Sequence, residues 1–302
     1  MVSNREDHLK RGTHVTAYEA LIAGSISGGV ARAVTAPLDT IKIRLQLQPN
    51  TFRNRNSVVK VLTDLLRHEG ISALWKGNVP AEIMYILYGA CQFTSYSVLN
   101  NTLTEIEESY KLNFPKSLHA MTVGLGLGFF STLTTYPFDL LRTRLVANST
   151  KEFLSMSLIT KEIFHKEGLV GFFAGIRPAL LSIPSYTGLM FVTYEIARDI
   201  TSVVTIPFVE GLCGFMAGAV AKALTFPLDT LRKRGQMYSV TEDNKKISTL
   251  KLCIDILRKE GLFGLYKGFG VSILKTAPTS AISLYLYELS LARIRNVEKK
   301  LD

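Results

Sequence analysis

The sequence has few of the residues that build metal centres, disulfide frameworks and catalytic sites. Among its 302 residues there are only three cysteines and five histidines. The cysteines lie far apart and are odd in number, which excludes a disulfide framework and a cysteine-based metal site; they are Cys91, Cys213 and Cys253. The histidines have no ligand spacing, and no nucleophile–base motif or dinucleotide fingerprint is present. We therefore expect no resident metal or cofactor, and no enzyme.

The chain is also poor in charged residues, and those it has are unbalanced. The charged fraction is 20% and the net charge is +10. A basic excess fits nucleic acid, an anionic membrane surface or an anionic substrate as the partner. Nucleic acid is the weakest of the three, because no nucleic-acid-binding motif occurs and the bases recur inside apolar segments. Residues 1–15 are polar and include Glu6 and Asp7, so we expect no basic targeting presequence.

Internal repetition is the strongest signal in the sequence. A motif with a proline, an aspartate two residues later and bases at the fifth and seventh positions after the proline occurs at residues 37–44, 137–144 and 227–234. Each proline is preceded, at two residues, by Thr35, Thr135 or Thr225. Two glycines lie thirteen and nine residues before each proline: Gly24 and Gly28, Gly124 and Gly128, Gly214 and Gly218. A second motif, Glu-Gly followed by an aromatic residue and a corner glycine, occurs at residues 69–77, 167–175 and 260–268.

Both motifs occur three times in the same order along the chain, which predicts three homologous repeats at residues 15–105, 114–202 and 206–298. Each repeat is predicted to contain two long helices with a short amphipathic helix between them, such as 58–68. The predicted first helices are 17–47, 116–147 and 207–237, and the second helices are 78–104, 176–201 and 269–294. At 1.5 Å per residue, each long helix can cross about 30 Å of hydrocarbon.

Charged residues interrupt the apolar segments and lower their mean hydropathy, so a strict hydropathy test should not identify these helices clearly as membrane spans. Arg32, Asp39 and Lys222 are examples. A charge at the bilayer centre costs about 2.5–3.5 kcal/mol on insertion scales, so these side chains should face a wet cavity or one another. We predict an all-α membrane protein with six transmembrane helices, in three pseudo-symmetric repeats around a central cavity, and short interfacial helices. A water-soluble repeat protein explains the helix pairs but not the glycine pairs, which permit close packing in lipid.

The charged motif predicts a ring of ion pairs. Its aspartate and first base share one helix face, and its proline removes a helical hydrogen bond and bends the helix. We expect the preceding threonine to help satisfy the backbone group that the proline frees. Cyclic pairing then joins Asp39 to Arg142, Asp139 to Arg232 and Asp229 to Lys42. These six residues, here called the gate ring, would close one end of a cavity until a substrate opens them; static structural salt bridges are the alternative.

These motifs resemble those of the mitochondrial carrier family, over about residues 15–298. The resemblance implies a multi-pass protein of the mitochondrial inner membrane that works by alternating access, with the short helices on the matrix side. It makes the gate ring the matrix gate. It also places Gln46 and Gln236 where the family has a glutamine brace under a gate pair, whereas repeat 2 has Val146 there.

The resemblance also implies a cytoplasmic gate, made by an aromatic residue, an acid and, three residues further on, a base in each second helix. The three copies are Tyr96, Ser97 and Asn100, then Tyr194, Glu195 and Arg198, then Tyr287, Glu288 and Leu291. Because only the second copy is whole, we expect a weak cytoplasmic gate.

The corner motifs at Lys76 and Lys267 resemble the cardiolipin sites of the family; repeat 2 has Ala174 instead. A helix N-terminus beside a base attracts phosphate, which agrees with that implication. We expect cardiolipin as a bound lipid and a monomeric protein.

Selectivity should come from residues that break the threefold symmetry. Five residues before the prolines lie Arg32, Thr132 and Lys222, and seven after the corner glycines lie Met84, Ser182 and Lys275. The family's substrate contacts fall at these positions and just beyond, where helical steps from Met84 reach Tyr88 and Gln92. The three cations suit an anion with several phosphate oxygens, and Tyr88, Tyr186 and Gln92 suit a heterocycle.

Residues 75–80 and 274–279 resemble a branch of the family that transports thiamine pyrophosphate. That resemblance implies import of this anion into the matrix, in exchange for phosphorylated thiamine or a nucleotide. A carrier of adenine nucleotides or coenzyme A would have the same fold and the same basic cavity. A non-transporting membrane receptor or tether is a further alternative, although a tether has no need of a ring that opens.

Overall fold

The structure is a computed structural model that describes residues 17–48, 58–111, 114–150, 154–201, 209–241 and 248–301, and within those ranges every regular element is a helix. In chain order they are α1 (Ala17–Leu47), α2 (Val58–His68), a 3-10 helix (Ile71–Trp75), α3 (Asn78–Ser109), α4 (Lys116–Ala147), α5 (Met156–Gly171), α6 (Ile176–Thr201), α7 (Val209–Thr241), α8 (Thr249–Glu260), α9 (Leu262–Leu265) and α10 (Phe269–Leu301).

The six long helices are those that the sequence predicts. Three bounds differ by a few residues: α3 ends at Ser109, α7 at Thr241 and α10 at Leu301, while the predicted start of α7 at residue 207 lies outside the described residues. Helices longer than predicted are expected where a polar end continues the helical pattern beyond the apolar segment, since helix ends are the least certain part of any assignment.

The internal contacts divide the chain into two compact units. The larger unit is residues 36–273, and the smaller unit is residues 1–35 with 274–302. All three charged motifs lie in the larger unit. The described part of the smaller unit contains the first half of α1 and most of α10, both helical.

Three equivalent apolar clusters in the larger unit attach each short helix to the long helix that carries the charged motif. Ile41 and Leu45 of α1 pack with Val61 and Leu65 of α2. The corresponding cluster in repeat 2 joins α4 to α5, and that in repeat 3 joins Leu231 of α7 to α8. Burial of these side chains fixes the position of the Glu-Gly motif beside the end of each long helix.

Each of the three motif prolines lies inside a continuous helix: Pro37 in α1, Pro137 in α4 and Pro227 in α7. The preceding threonines donate hydrogen bonds to the carbonyls four residues back, at Ala31, Ser131 and Ala221. The carbonyl that loses its donor to a proline lies four residues before the proline itself. The predicted role of the threonine is therefore wrong, because a hydroxyl on this helix face reaches its own preceding turn.

The glycine pairs give close packing at one place. A Cβ on Gly128 of α4 would lie 2.6 Å from the Cα of Pro184 in α6, and the Thr187 hydroxyl donates to the Gly124 carbonyl at 2.7 Å. Among the described residues, a Cβ on Gly24, Gly28 or Gly218 would meet nothing nearer than 3.8 Å. Close packing at the other glycine pairs stays a prediction.

Within the described ranges, no helix taken singly has both the length and the hydropathy of a membrane span. One bent pair passes the same test jointly, by length and composition: Met156–Gly171 with Ile176–Tyr194, at an angle of 74°.

Replacing Gly128 with alanine should lower the free energy of unfolding by about 1–3 kcal/mol, because the added methyl forces α4 and α6 apart. Gly28→Ala is the matched control, since it occupies the same repeat position and its Cβ would meet only an arginine nitrogen at 3.9 Å. Thermal and denaturant unfolding of the purified protein in detergent measures both. Equal stabilities for the two variants would contradict the assigned crossing.

Candidate functional site

The gate ring is formed in the structure by the three predicted ion pairs. Asp39 and Arg142 approach to 2.6 Å, Asp139 and Arg232 to 2.6 Å, and Asp229 and Lys42 to 2.8 Å. Each pair joins one repeat to the next, and the last joins repeat 3 back to repeat 1. The contacts therefore form a closed cycle, as the sequence predicted, whereas the role of this cycle as a gate stays a prediction.

The gate ring is largely removed from solvent. Asp139 and Asp229 are buried, with relative exposures of 4% and 6%, and Arg142 and Arg232 are buried as well. Removing one partner from a buried pair costs about 3–5 kcal/mol, because the other charge is left uncompensated. Each ion pair of this ring is therefore costly to break by removing a single member.

Asp139 binds two further residues besides Arg232, its partner in the gate ring. The Lys233 ammonium donates to Asp139 at 2.8 Å and to the Thr143 hydroxyl at 2.9 Å, and the Gln236 amide donates to the second oxygen of Asp139. Sequence reasoning did not assign Lys233. The signal was present, since repeat 3 has a lysine between the two motif bases where repeats 1 and 2 have Ile43 and Thr143.

The two glutamines that the resemblance assigns as braces behave differently. Gln236 is fully buried and binds Asp139, which is the contact implied for a brace. Gln46 is equally buried, but its side-chain amide nitrogen donates to the Thr230 hydroxyl at 3.4 Å, and its side-chain oxygen Oε1 has no hydrogen-bond partner within the described part of the chain. Lys233 also contacts the Gln236 carbonyl, at 3.5 Å. Repeat 1 has Ile43 at the lysine position, so it lacks that donor.

The structure contains a second set of ion pairs that the sequence analysis did not predict. The last base of each charged motif makes two hydrogen bonds to the glutamate of the Glu-Gly motif in its own repeat: Arg44 with Glu69, Arg144 with Glu167 and Arg234 with Glu260. Bidentate pairs of this kind fix geometry as well as charge. Both motifs recur in phase, but their spacing along the chain gives no measure of the distance between them.

In repeats 1 and 3 these pairs also hold the neighbouring repeat. Arg44 donates to the Val146 carbonyl, and Lys76 donates to Glu69 and to the carbonyls of Asn148 and Thr150 at 3.1 and 2.5 Å. In repeat 3, Arg234 and Lys267 bind Glu260 and the carbonyls of Gln46 and Gln48. Cations at the C-terminal end of a helix satisfy its last carbonyls and its dipole.

The ion pairs around Glu69 and Glu260 shift the pKa of the buried groups that form them. Burial opposes ionisation of Glu69, but the hydrogen bonds from Arg44 and Lys76 outweigh it and lower the pKa of that carboxyl. The pKa of Glu260 is lowered by the same balance, with Arg234 and Lys267 as donors. Burial lowers the pKa of Lys267. In this structure Lys76 and Lys267 use their ammonium groups within the protein, and their predicted binding of cardiolipin stays a prediction.

The corner glycines lie directly against the neighbouring repeat. Gly77, Gly175 and Gly268 all have positive φ, at 75°, 73° and 81°. A Cβ on Gly77 would lie 2.9 Å from the backbone carbonyl oxygen of Arg142, and one on Gly175 would lie 2.9 Å from the backbone nitrogen of Gln236. Glycine is needed here both for the backbone conformation and for the close approach.

The predicted substrate residues fall in both units. In the larger unit Lys222 lies 3.3 Å from Asp229 and 5.7 Å from the centre of the Tyr186 ring. Ser182 is buried, and its hydroxyl donates to the Thr225 carbonyl at 3.5 Å. Met84, Tyr88 and Gln92 are half-buried on α3. Arg32 and Lys275 are half-buried in the smaller unit. The structure joins Lys222 to the gate ring, and the binding role of the whole set stays a prediction.

The predicted cytoplasmic gate is described only in part. Tyr194 is half-buried, while the side chains of Glu195 and Arg198 lie outside the described residues. Tyr287 is half-buried and Glu288 is exposed on α10. In repeat 1, Asn100 lies 3.2 Å from the ring of His119, whose other nitrogen lies 2.7 Å from Glu107. The weakness expected of this gate therefore stays a prediction.

Known proteins resemble this chain along nearly its whole length. The sequence pattern of the family described as mitochondrial carrier protein matches residues 13–107, 114–203 and 205–297. Mitochondrial thiamine pyrophosphate carrier 1 of Scheffersomyces stipitis is 58% identical over 98% of this chain and 97% of its own. The protein of that name from Candida albicans is 57% identical over 98% and 99%, and the one from Saccharomyces cerevisiae is 37% identical over 96% and 98%.

Replacing Lys233 with methionine should lower the free energy of unfolding by about 1–3 kcal/mol, because Asp139 and Thr143 lose a charged hydrogen-bond donor inside the protein. Lys251→Met is the control, since Lys251 is an exposed lysine on α8. Denaturant unfolding in detergent gives both values. If the two variants are equally stable, Lys233 contributes nothing to the gate ring.

Proposed function

The chain belongs to the mitochondrial carrier family, and we propose that it imports thiamine pyrophosphate across the mitochondrial inner membrane. Family membership makes it a mitochondrial transporter and not an enzyme, and it confirms the predicted all-α fold of three repeats. The proposed substrate rests on one observation, the identity of 55–58% to four fungal relatives that are named as thiamine pyrophosphate carriers.

The chemistry of the predicted substrate residues supports an anion with several phosphate oxygens. Lys222, Arg32 and Lys275 are cations at positions where the threefold symmetry is broken. Lys222 faces the Tyr186 ring, and an ammonium beside an aromatic face is stabilised without losing its donors. A pyrophosphate group would accept hydrogen bonds from such cations, and Tyr186 and Tyr88 offer ring faces to a heterocycle.

Transport proceeds in this proposal by alternating access through a multi-pass monomer. The gate ring closes the path toward the matrix, and the bound anion supplies the compensation that lets its ion pairs separate. The carrier then transports phosphorylated thiamine or a nucleotide in the opposite direction, and this exchange returns it to the conformation that binds thiamine pyrophosphate. Cardiolipin binds near the corner motifs, where helix N-termini attract phosphate.

The test is uptake of labelled thiamine pyrophosphate by liposomes that contain the purified protein and are loaded with unlabelled thiamine pyrophosphate, ADP or coenzyme A. We expect saturable uptake that depends on internal thiamine pyrophosphate, because an anion of this size and charge crosses a bilayer only on a carrier. Lys275→Ala should remove most of this uptake while the protein unfolds at the wild-type temperature.

Two outcomes would contradict the proposal. Exchange of ADP or coenzyme A without uptake of thiamine pyrophosphate would keep the carrier mechanism and replace the substrate. Absence of any exchange by correctly folded protein would leave the receptor or tether as the function.

A further inference from the structure

Cations of repeat 1 hold the end of the first helix of repeat 2. Lys76 donates to the carbonyls of Asn148 and Thr150 at 3.1 and 2.5 Å, directly after α4 ends at Ala147. Arg44 donates to the Asn148 carbonyl as well, at 2.9 Å. Cations at this place satisfy carbonyl groups that the end of a helix leaves without a helical partner. We call this arrangement the carbonyl clamp of repeat 1.

Repeat 3 has an equivalent carbonyl clamp, formed by Lys267 and Arg234. Both side chains donate to the Gln48 carbonyl, at 3.3 and 3.4 Å, and Arg234 also donates to the Gln46 carbonyl at 2.8 Å. Gln48 directly follows the last residue of α1. The two clamps therefore join repeat 1 to repeat 2 and repeat 3 to repeat 1, and in each of them the lysine belongs to the corner motif.

Repeat 2 cannot form a clamp with a corner lysine, because it has Ala174 at that position. The helix that such a clamp would hold, α7, is also longer relative to its motif than the other two. α1 and α4 end ten residues after their motif prolines, whereas α7 ends fourteen residues after Pro227. The extra turn of α7 keeps the carbonyls around Gln236 within helical hydrogen bonds, so these carbonyls need no cation from repeat 2.

The contact between repeats 2 and 3 has its additional lysine inside the gate ring. Lys233 of α7 donates to Asp139 at 2.8 Å and to the Thr143 hydroxyl at 2.9 Å, both on α4, and its side chain is only 7% exposed. Repeats 1 and 2 have Ile43 and Thr143 at the equivalent position, and neither side chain carries an ammonium group. Each contact between repeats therefore includes a lysine outside the six residues of the gate ring, twice from the corner motif and once from the charged motif.

We propose that Lys233 is a positioning residue that takes the place of the corner lysine absent from repeat 2 and holds α7 against α4. Its consequence for transport rests on the proposed function. Each contact between repeats has to separate and form again in a transport cycle, so the strength of the contact that Lys233 makes limits the rate of that cycle. A second lysine at the same contact, introduced at Ala174, then stabilises the contact further and slows transport.

Amide hydrogen exchange of the purified full-length protein in detergent tests the positioning role. Lys233→Met should speed exchange in residues 230–241, at the end of α7, by about tenfold or more, because a charge-assisted contact is lost. Adding Ala174→Lys to that variant should restore slow exchange there, whereas Ala174→Met, which adds a long side chain without a charge, should not. Lys76→Met is the matched control, and it should speed exchange in residues 144–150 instead. Equal exchange at the end of α7 in the wild type and in Lys233→Met, or equal rescue by Ala174→Met, would overturn the assignment.

Uptake by liposomes tests the consequence for transport. Ala174→Lys in the otherwise unchanged protein should raise the temperature of thermal unfolding and lower the maximal rate of thiamine pyrophosphate uptake by about tenfold. The half-saturating concentration should stay at the wild-type value, since Ala174 is not among the predicted substrate residues. An unchanged maximal rate would overturn the claim that this contact limits transport. Absence of uptake by the wild type would overturn the proposed function alone, because the exchange measurements on Lys233 do not depend on the substrate.

Discussion

The larger unit depends on one constraint: an aspartate inside an apolar helix needs a cation, and each repeat takes that cation from the next repeat. Asp39, Asp139 and Asp229 pair with bases of repeats 2, 3 and 1. Because each repeat both supplies a base and needs one, no repeat can bury its charged motif alone. The same cyclic order recurs in the corner glycines, which contact the helix that carries the neighbouring base. Each helix that carries a charged motif is therefore joined to the corresponding helix of the next repeat by an ion pair.

The threefold repetition places one ion pair at each contact between repeats. Residues that depart from the repetition give these ion pairs different additional partners. Between repeats 2 and 3, Asp139 gains Lys233 and Gln236, and Arg232 lies 5.8 Å from the Tyr136 ring centre. Between repeats 3 and 1, Asp229 shares one oxygen between Lys42 and the more exposed Lys222. Asp139 therefore has partners on both of its carboxylate oxygens, whereas two ammonium groups share the Oδ2 atom of Asp229.

Sequence reasoning predicted the helices from apolar periodicity and the partners in the gate ring from the threefold repetition of one motif. Apolar periodicity gave α1 and α4 with their observed bounds, and three acids with three bases in phase allow a cyclic pairing. It did not find Arg44 with Glu69, or Lys233 with Asp139. Those contacts depend on how closely two helices approach, which spacing along one chain does not contain. The threonine expectation failed for a different reason, since the Thr35 hydroxyl donates within its own helix, to the Ala31 carbonyl four residues back.

The central claim is that the ion pairs act as pairs, and exchanging the charges of one pair tests it directly. Asp39→Arg alone and Arg142→Asp alone each place like charges at a contact of 2.6 Å and should abolish thiamine pyrophosphate uptake by liposomes. The double variant Asp39→Arg with Arg142→Asp restores opposite charges and should recover a substantial part of that uptake. A double variant as inactive as either single variant, although folded, would contradict the account.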